Sequence, residues 1–112
     1  MIEIWHNPRC SKSRQTVALV EAQGHKVRIV RYLKDTPSAA DIKAVLAKLG
    51  ISADDLLRKG ESIYRELPLQ NADEEQIVNA MAAHPILIER PIVINGNRAR
   101  VGRPPEAVLE IL

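Results

Sequence analysis

Along the first six residues Ile2, Ile4 and His6 alternate with Glu3 and Trp5, the two-residue period of a strand, and Asn7-Pro8 ends it. From Ser11 the period lengthens to that of a helix, with Val17 and Val20 one turn apart and Gly24 as the stop. Residues 27–32 return to alternation and predict a second strand, with Val27, Ile29 and, by the same period, Arg31 on one face. Thr36-Pro37-Ser38 then opens a helix whose Ile42, Val45, Leu46 and Leu49 stand at i, i+3, i+4 and i+7, closed by Gly50.

Ser52 and Asp55 form a capping box for a short helix carrying Leu56 and Leu57. A further helix is predicted from about Asp73, burying Ile77, Val78 and Met81 and ending before Pro85. Residues 91–94 and 98–101 flank Asn95-Gly96-Asn97, a short-hairpin signal. Pro104-Pro105-Glu106 starts a final helix with Val108, Leu109 and Ile111 apolar. The order is β-α-β, three helices, then β-β-α. A right-handed crossover makes the first two strands parallel, and the hairpin adds antiparallel partners. The predicted architecture is therefore α/β: a four-stranded mixed sheet, with an all-helical insertion over about 36–84. That element order is the one of the thioredoxin-like fold, here read as a single domain over residues 1–112.

Composition narrows the function classes. A chain of 112 residues should bury roughly 65% of its unfolded surface, and 46% hydrophobic with 27% charged residues is a globular balance. The longest apolar runs are four residues against the ~20 of a membrane span. Glu3 also stands where a signal peptide carries basic residues. One cysteine excludes an internal disulfide and fits a reducing compartment. The expectation is a cytoplasmic protein with no membrane partner. A net charge of +2 does not call for nucleic acid, and Trp5, Tyr32 and Tyr64 are too few aromatics for a stacking platform.

The candidate chemistry lies at Cys10, between the first strand and the first turn of the following helix. A helix N-terminus presents unpaired amides and a partial positive charge. Arg9, Lys12 and Arg14 add cationic charge, with His6 close by in sequence. All favour thiolate, the nucleophilic form; the alternative is an inert small hydrophobe. A second cysteine three residues on would make a dithiol, but that position is Ser13. Arginine six residues on would make a phosphatase loop, but that position is Thr16. Cys10 can therefore attack but cannot resolve its own product, and a cycle must use an outside thiol.

Arg58, Arg90 and Arg103 each fall at an element end, where sites are assembled on a scaffold, and a guanidinium fork suits tetrahedral oxyanions. His6 suits either tuning of the thiol or packing of the strand. With His25 and His84 it is too scattered, beside one cysteine, for a zinc site, and no metal is expected. His84, before Pro85, reads as a helix C-terminal partner or packing group.

Five blocks, His6-Asn7-Pro8-x-Cys10-x-x-Ser13-Arg14, Leu57-Arg58-Lys59, His84-Pro85-Ile86-Leu87-Ile88, Arg90-Pro91-Ile92-Val93 and Arg103-Pro104-Pro105-Glu106, carry a resemblance over essentially the whole chain. The chain resembles the arsenate reductases that work with glutathione and glutaredoxin and have a thioredoxin-like fold. The resemblance implies Cys10 as nucleophile, Arg58, Arg90 and Arg103 around the oxyanion, and His6 and Ser13 tuning the cysteine, a role Arg14 supports by its charge. It implies a cis peptide before Pro91. It also implies no bound cofactor, with arsenate or a similar oxyanion as substrate, glutathione as co-substrate and glutaredoxin as partner. Two other readings stand beside it. One is a glutathione-dependent thiol reductase of the same fold that does not use arsenate. The other is a Spx-like regulator binding RNA polymerase, although oxidant-sensing members commonly carry Cys-x-x-Cys where this chain has Ser13.

Overall fold

The alternating segments form four strands, β1 (Ile2–Trp5), β2 (Val27–Val30), β3 (Ile92–Asn95) and β4 (Arg98–Val101), in one sheet of order β2-β1-β3-β4. The computed structural model describes residues 1–112 and separates into two compact units, Met1–Asp35 with Arg90–Leu112, and Thr36–Glu89.

In the first unit β1 runs parallel to β2, pairing Ile2 with Val27 and Trp5 with Val30, and antiparallel to β3, pairing Ile4 with Val93. The crossover between β1 and β2 is helix α1 (Ser11–Ala22). The β3–β4 hairpin pairs Asn95 with Arg98, so Asn95 joins the strand and only Gly96-Asn97 forms the loop. Gly96 takes φ +63°, the left-handed region that glycine enters without a Cβ penalty. Ile2, Ile4 and Val93 from the sheet, Val20 from α1, and Val108 and Ile111 from the C-terminal segment form one buried cluster. Each such side chain contributes about 1.5–3 kcal/mol by leaving water.

Three features differ from the sequence reading. The last segment, Pro105–Ile111, is a 3-10 helix and not an α-helix. Residues i and i+3 eclipse in that geometry, which stacks Pro105, Val108 and Ile111 on one buried face and leaves Leu109 at 43% exposure. Asn95 Nδ2 donates to Ile111 O at 2.5 Å and pins the end of this segment. In α1 the buried positions are Ser13, Thr16 and Val20, with Val17 half-buried, so the inward stripe is polar in its first turns. In β2, an edge strand with one neighbour, Ile29 is 40% exposed, and Arg31 lies beyond the strand.

The helical unit contains α2 (Ala39–Leu49), α3 (Ala53–Leu56), α4 (Ser62–Glu66) and α5 (Glu74–Ala83), followed by a 3-10 turn at Pro85–Leu87. Reciprocal capping boxes start three of them, Ser38 with Asp41, Ser52 with Asp55 and Asp73 with Gln76. The apolar stripe of α2 packs against α5, which buries Ile77, Val78 and Met81. Helix α4 is additional to the three expected; it has five residues, no side-chain cap and no buried position, and so leaves no periodic signal. The unit runs to Glu89, past the expected end near residue 84. A bridge between Leu57 and Ile88, with Arg58 N donating to Leu87 O at 2.8 Å and Glu89 N to Leu56 O at 2.9 Å, ties 85–89 to the helices.

Gly102 is the one glycine with no space for a side chain. Its N–H donates to Pro91 O at 2.9 Å, and a Cβ there would meet Thr16 Oγ1 at 2.5 Å and Pro91 Cγ at 2.9 Å. Thr16 is fully buried, so neither neighbour has room to yield. Gly102→Ala is expected to destabilise the protein by about 1–3 kcal/mol through overpacking, measured by urea unfolding; a loss below about 0.5 kcal/mol would show that the contact relaxes freely.

Candidate active site

Cys10 occupies the N-cap of α1 with extended backbone angles, φ −94° and ψ 122°. Its N–H donates to Asn7 O at 3.0 Å, and its carbonyl accepts the first helical bond from Arg14 N at 3.0 Å. Asn7 organises the turn on both sides: its Oδ1 accepts from Arg9 N at 3.0 Å, and its own N–H donates to Ser13 Oγ at 3.0 Å. Asparagine favours this kind of turn because its side chain imitates a backbone acceptor. From sequence Asn7 stands only as the end of the first strand with Pro8, although the Asn-Pro-x-Cys spacing carried this signal too.

The thiol is half-buried, and burial pushes its pKa up. The Ser13 amide, the Arg90 charge, the Lys12 amide and a hydrogen bond from the Arg90 side chain act in the opposite direction, and together they bring it below the ordinary thiol value. No side-chain capping bond of full geometry forms from the sulfur; the amides act by favouring the anion at the helix start.

Ser13 is fully buried, and its Oγ lies 2.6 Å from His6 Nδ1. Burial, and then the charges of Arg31 and Arg14, hold the His6 pKa below the usual histidine value. His6 is therefore a neutral imidazole at pH 7 and adds no positive charge at the cysteine. With the Asn7 amide already donating to Ser13 Oγ, the hydroxyl proton suits Nδ1 and leaves the imidazole proton on Nε2. Arg14 is turned to the loop, with Nη1 donating to Pro8 O at 2.9 Å. Of the two cations at His6, Arg31 was read from sequence only as a strand residue.

Arg90 is half-buried and precedes Pro91, and the peptide between them is cis. Arg103 is exposed, its Nη1 lies 3.5 Å from Arg90 O, and the bond to Pro104 is cis as well. The first unit thus brings Cys10, Ser13, His6, Arg14, Arg90, Pro91 and Arg103 onto one set of adjoining turns. Arg58 belongs to the helical unit. There its Nη2 is 2.8 Å from Glu61 Oε1, its Nε 4.0 Å from Glu89 Oε1, and its Nη1 3.4 Å from Ile86 O. His84 caps α5, with its N–H donating to Ala80 O at 2.8 Å. No group of three or more His, Cys, Asp or Glu side chains converges to hold a metal.

Residues 5–111 match the family described as the ArsC family. The chain belongs to the ArsC family. It is 46% identical over 112 residues to the arsenate reductase of Haemophilus influenzae, covering 97% of each chain. It is equally identical, over 114 residues, to the uncharacterized protein YfgD of Escherichia coli, covering 99% of this chain and 96% of that one. The solved structure of the arsenate reductase from Vibrio cholerae superposes with a TM-score of 0.96 at 46% identity, covering 99% of this chain and 97% of that one. The four-stranded α/β architecture expected from sequence is the thioredoxin-like fold of these ArsC proteins.

In an ArsC-family site of this geometry, a pH profile of Cys10 alkylation should reach half its maximum below the value of an unperturbed thiol. Arg90→Ala removes the side chain that most directly opposes desolvation. It should move the midpoint upward and slow alkylation at pH 7; an unmoved midpoint would leave the helix amides as sole cause.

Proposed function

We propose that this protein reduces arsenate to arsenite through Cys10, with glutathione and glutaredoxin as external thiols. The observation that supports it most is a lone cysteine, its pKa lowered by helix amides and Arg90, in a chain 46% identical to an arsenate reductase over almost its whole length. The anion binds beside the start of α1, neutralised by Arg90 and Arg103. The role given to Arg58 rests on the block Leu57-Arg58-Lys59 alone.

The Cys10 thiolate attacks As(V), and one oxygen leaves as water after protonation. Glutathione displaces a second oxygen in the same way, giving arsenic bonded to two sulfurs. The glutaredoxin thiolate then attacks the glutathione sulfur. An S–S bond forms, the S–As bond breaks, and its electron pair stays on arsenic, which becomes As(III). Water displaces Cys10 from As(III), arsenite leaves, and the thiolate is restored. Two thiols supply the two electrons, as a chain with one cysteine requires. Phosphate has the same charge and nearly the same shape, so selectivity comes from the readiness of As(V) to accept thiolate and electrons.

Ser13 and neutral His6 hold the turn in register for the sulfur without competing for the anion. A glutathione-dependent thiol reductase would use the same groups, and arsenate turnover separates the two. Wild type with arsenate, glutathione and glutaredoxin should form arsenite, and Cys10→Ser should lower the rate by at least about 10³-fold, as expected for loss of a nucleophile. Absence of wild-type turnover removes arsenate as substrate. Arg58→Lys keeps the charge but loses the fork, and should lower kcat/KM for arsenate by about 10-fold or more, roughly the 1.5–3 kcal/mol of a charged hydrogen bond. Unchanged kcat/KM would remove Arg58 from oxyanion recognition.

A further inference from the structure

We infer that the surface around Cys10 is a docking face for a protein thiol flanked by carboxylates. This rests on the thiol-exchange half of the function proposed above and goes on to name the chemistry of the partner. The net charge of +2 hides a strong asymmetry. Met1–Asp35 with Arg90–Leu112 holds eleven Lys and Arg against five Asp and Glu, a net +6. Thr36–Glu89 holds five against nine, a net −4.

Within the basic unit the excess gathers at the cysteine turn. Arg9 and Lys12 flank Cys10, and Arg14 reaches back to Pro8 O. Arg31 follows Val30, whose carbonyl accepts from His6 N at 2.8 Å. Arg14 and Arg31 both bear electrostatically on His6. All four cations are exposed, and none has a carboxylate within 4.0 Å. Elsewhere in the same unit Arg28 and Arg100 do have such neighbours, Glu3 at 3.9 Å and Glu110 at 3.0 Å.

Arg90 is the cation that acts on the sulfur itself, and these four exposed like charges on the adjoining turns repel each other and make the surface beside it basic. The oxyanion is assigned to Arg90 and Arg103, which leaves these four over. A tripeptide thiol with two carboxylates and one ammonium matches them poorly, whereas a protein surface with several carboxylates around its thiol matches them well. Nucleic acid, the other polyanion, would need aromatic faces for single strands, and Trp5 and Tyr32 are buried at 4% and 1% exposure.

Three peptides test this, each with one cysteine carried as a mixed disulfide with thionitrobenzoate and flanked by Glu, Ser or Lys. The Cys10 thiolate attacks the peptide sulfur, the Cys10–peptide disulfide forms, and thionitrobenzoate leaves with the electron pair as a coloured thiolate. At low ionic strength the Glu-flanked peptide should react about 10-fold faster than the Ser-flanked one, and the Lys-flanked peptide slower, with the spread closing at high salt. The Glu-to-Ser ratio cancels any change in thiolate fraction, and the double variant Arg9→Glu, Arg31→Glu should bring it to one or below. A wild-type ratio near one, or a ratio the double variant leaves unchanged, overturns the inference. So does salt-dependent binding of a mixed-sequence DNA duplex in the absence of any peptide preference. No arsenate is present in this assay, so loss of the charge preference and loss of arsenate turnover are read separately.

Discussion

The chemistry of this protein depends on whether one sulfur is more stable as an anion than as a thiol. Burial opposes the anion, and the amides at the start of α1 together with the Arg90 guanidinium favour it. The second set prevails because both contributions are held in place. The amides are fixed by the helix that follows Cys10, and Arg90 leads into β3, the strand paired along β1. The anion-stabilising groups thus come from the first and last thirds of the chain, joined by the sheet.

The polar interior of α1 serves the same end. Ser13 and Thr16 occupy positions that an ordinary amphipathic helix gives to aliphatic side chains. Ser13 joins the Asn7 amide to His6, and Thr16 Oγ1 donates to Lys12 O at 2.8 Å while packing against Gly102. Gly102 in turn is bonded to Pro91 and precedes Arg103. The cysteine turn and the two arginine-bearing turns therefore press on each other through small, fully packed contacts, where a shift at one is felt at the others. Apolar residues in these places would bury as well but would leave the Asn7 amide without an acceptor, a loss of about 1–3 kcal/mol.

Charge is divided along the chain in a way that total composition conceals. A net +2 argues against a polyanionic partner only if the charges are mixed, and here the sheet-bearing unit is strongly basic while the helical unit is acidic. Arg58, in the acidic unit, sits against Glu61 with Glu89 nearby, whereas Arg9, Lys12, Arg14 and Arg31 have no carboxylate so close. An arginine so paired has an oriented fork and a partly offset charge.

The sequence by itself determined the parts of this protein that depend on neighbours in the chain. The capping box at Ser52, the helix starts near Ser38 and Asp73, the α2 stripe, the hairpin around Asn95-Gly96-Asn97 and the placement of Cys10 at a helix start all follow from short spacings in the chain, the range over which helices and turns are specified. Only the tertiary structure decided features that depend on contacts between distant segments. Ile29 is exposed on β2 at the sheet edge, and Pro105–Ile111 takes the 3-10 form with Pro105, Val108 and Ile111 against the core. The neutrality of His6 arises from burial and from Arg31, the residue after β2, and the lowered pKa of Cys10 owes part of its cause to a side chain eighty positions further on. Electrostatic effects of this kind act through space across the fold, and no local pattern in a chain records which distant charge will arrive.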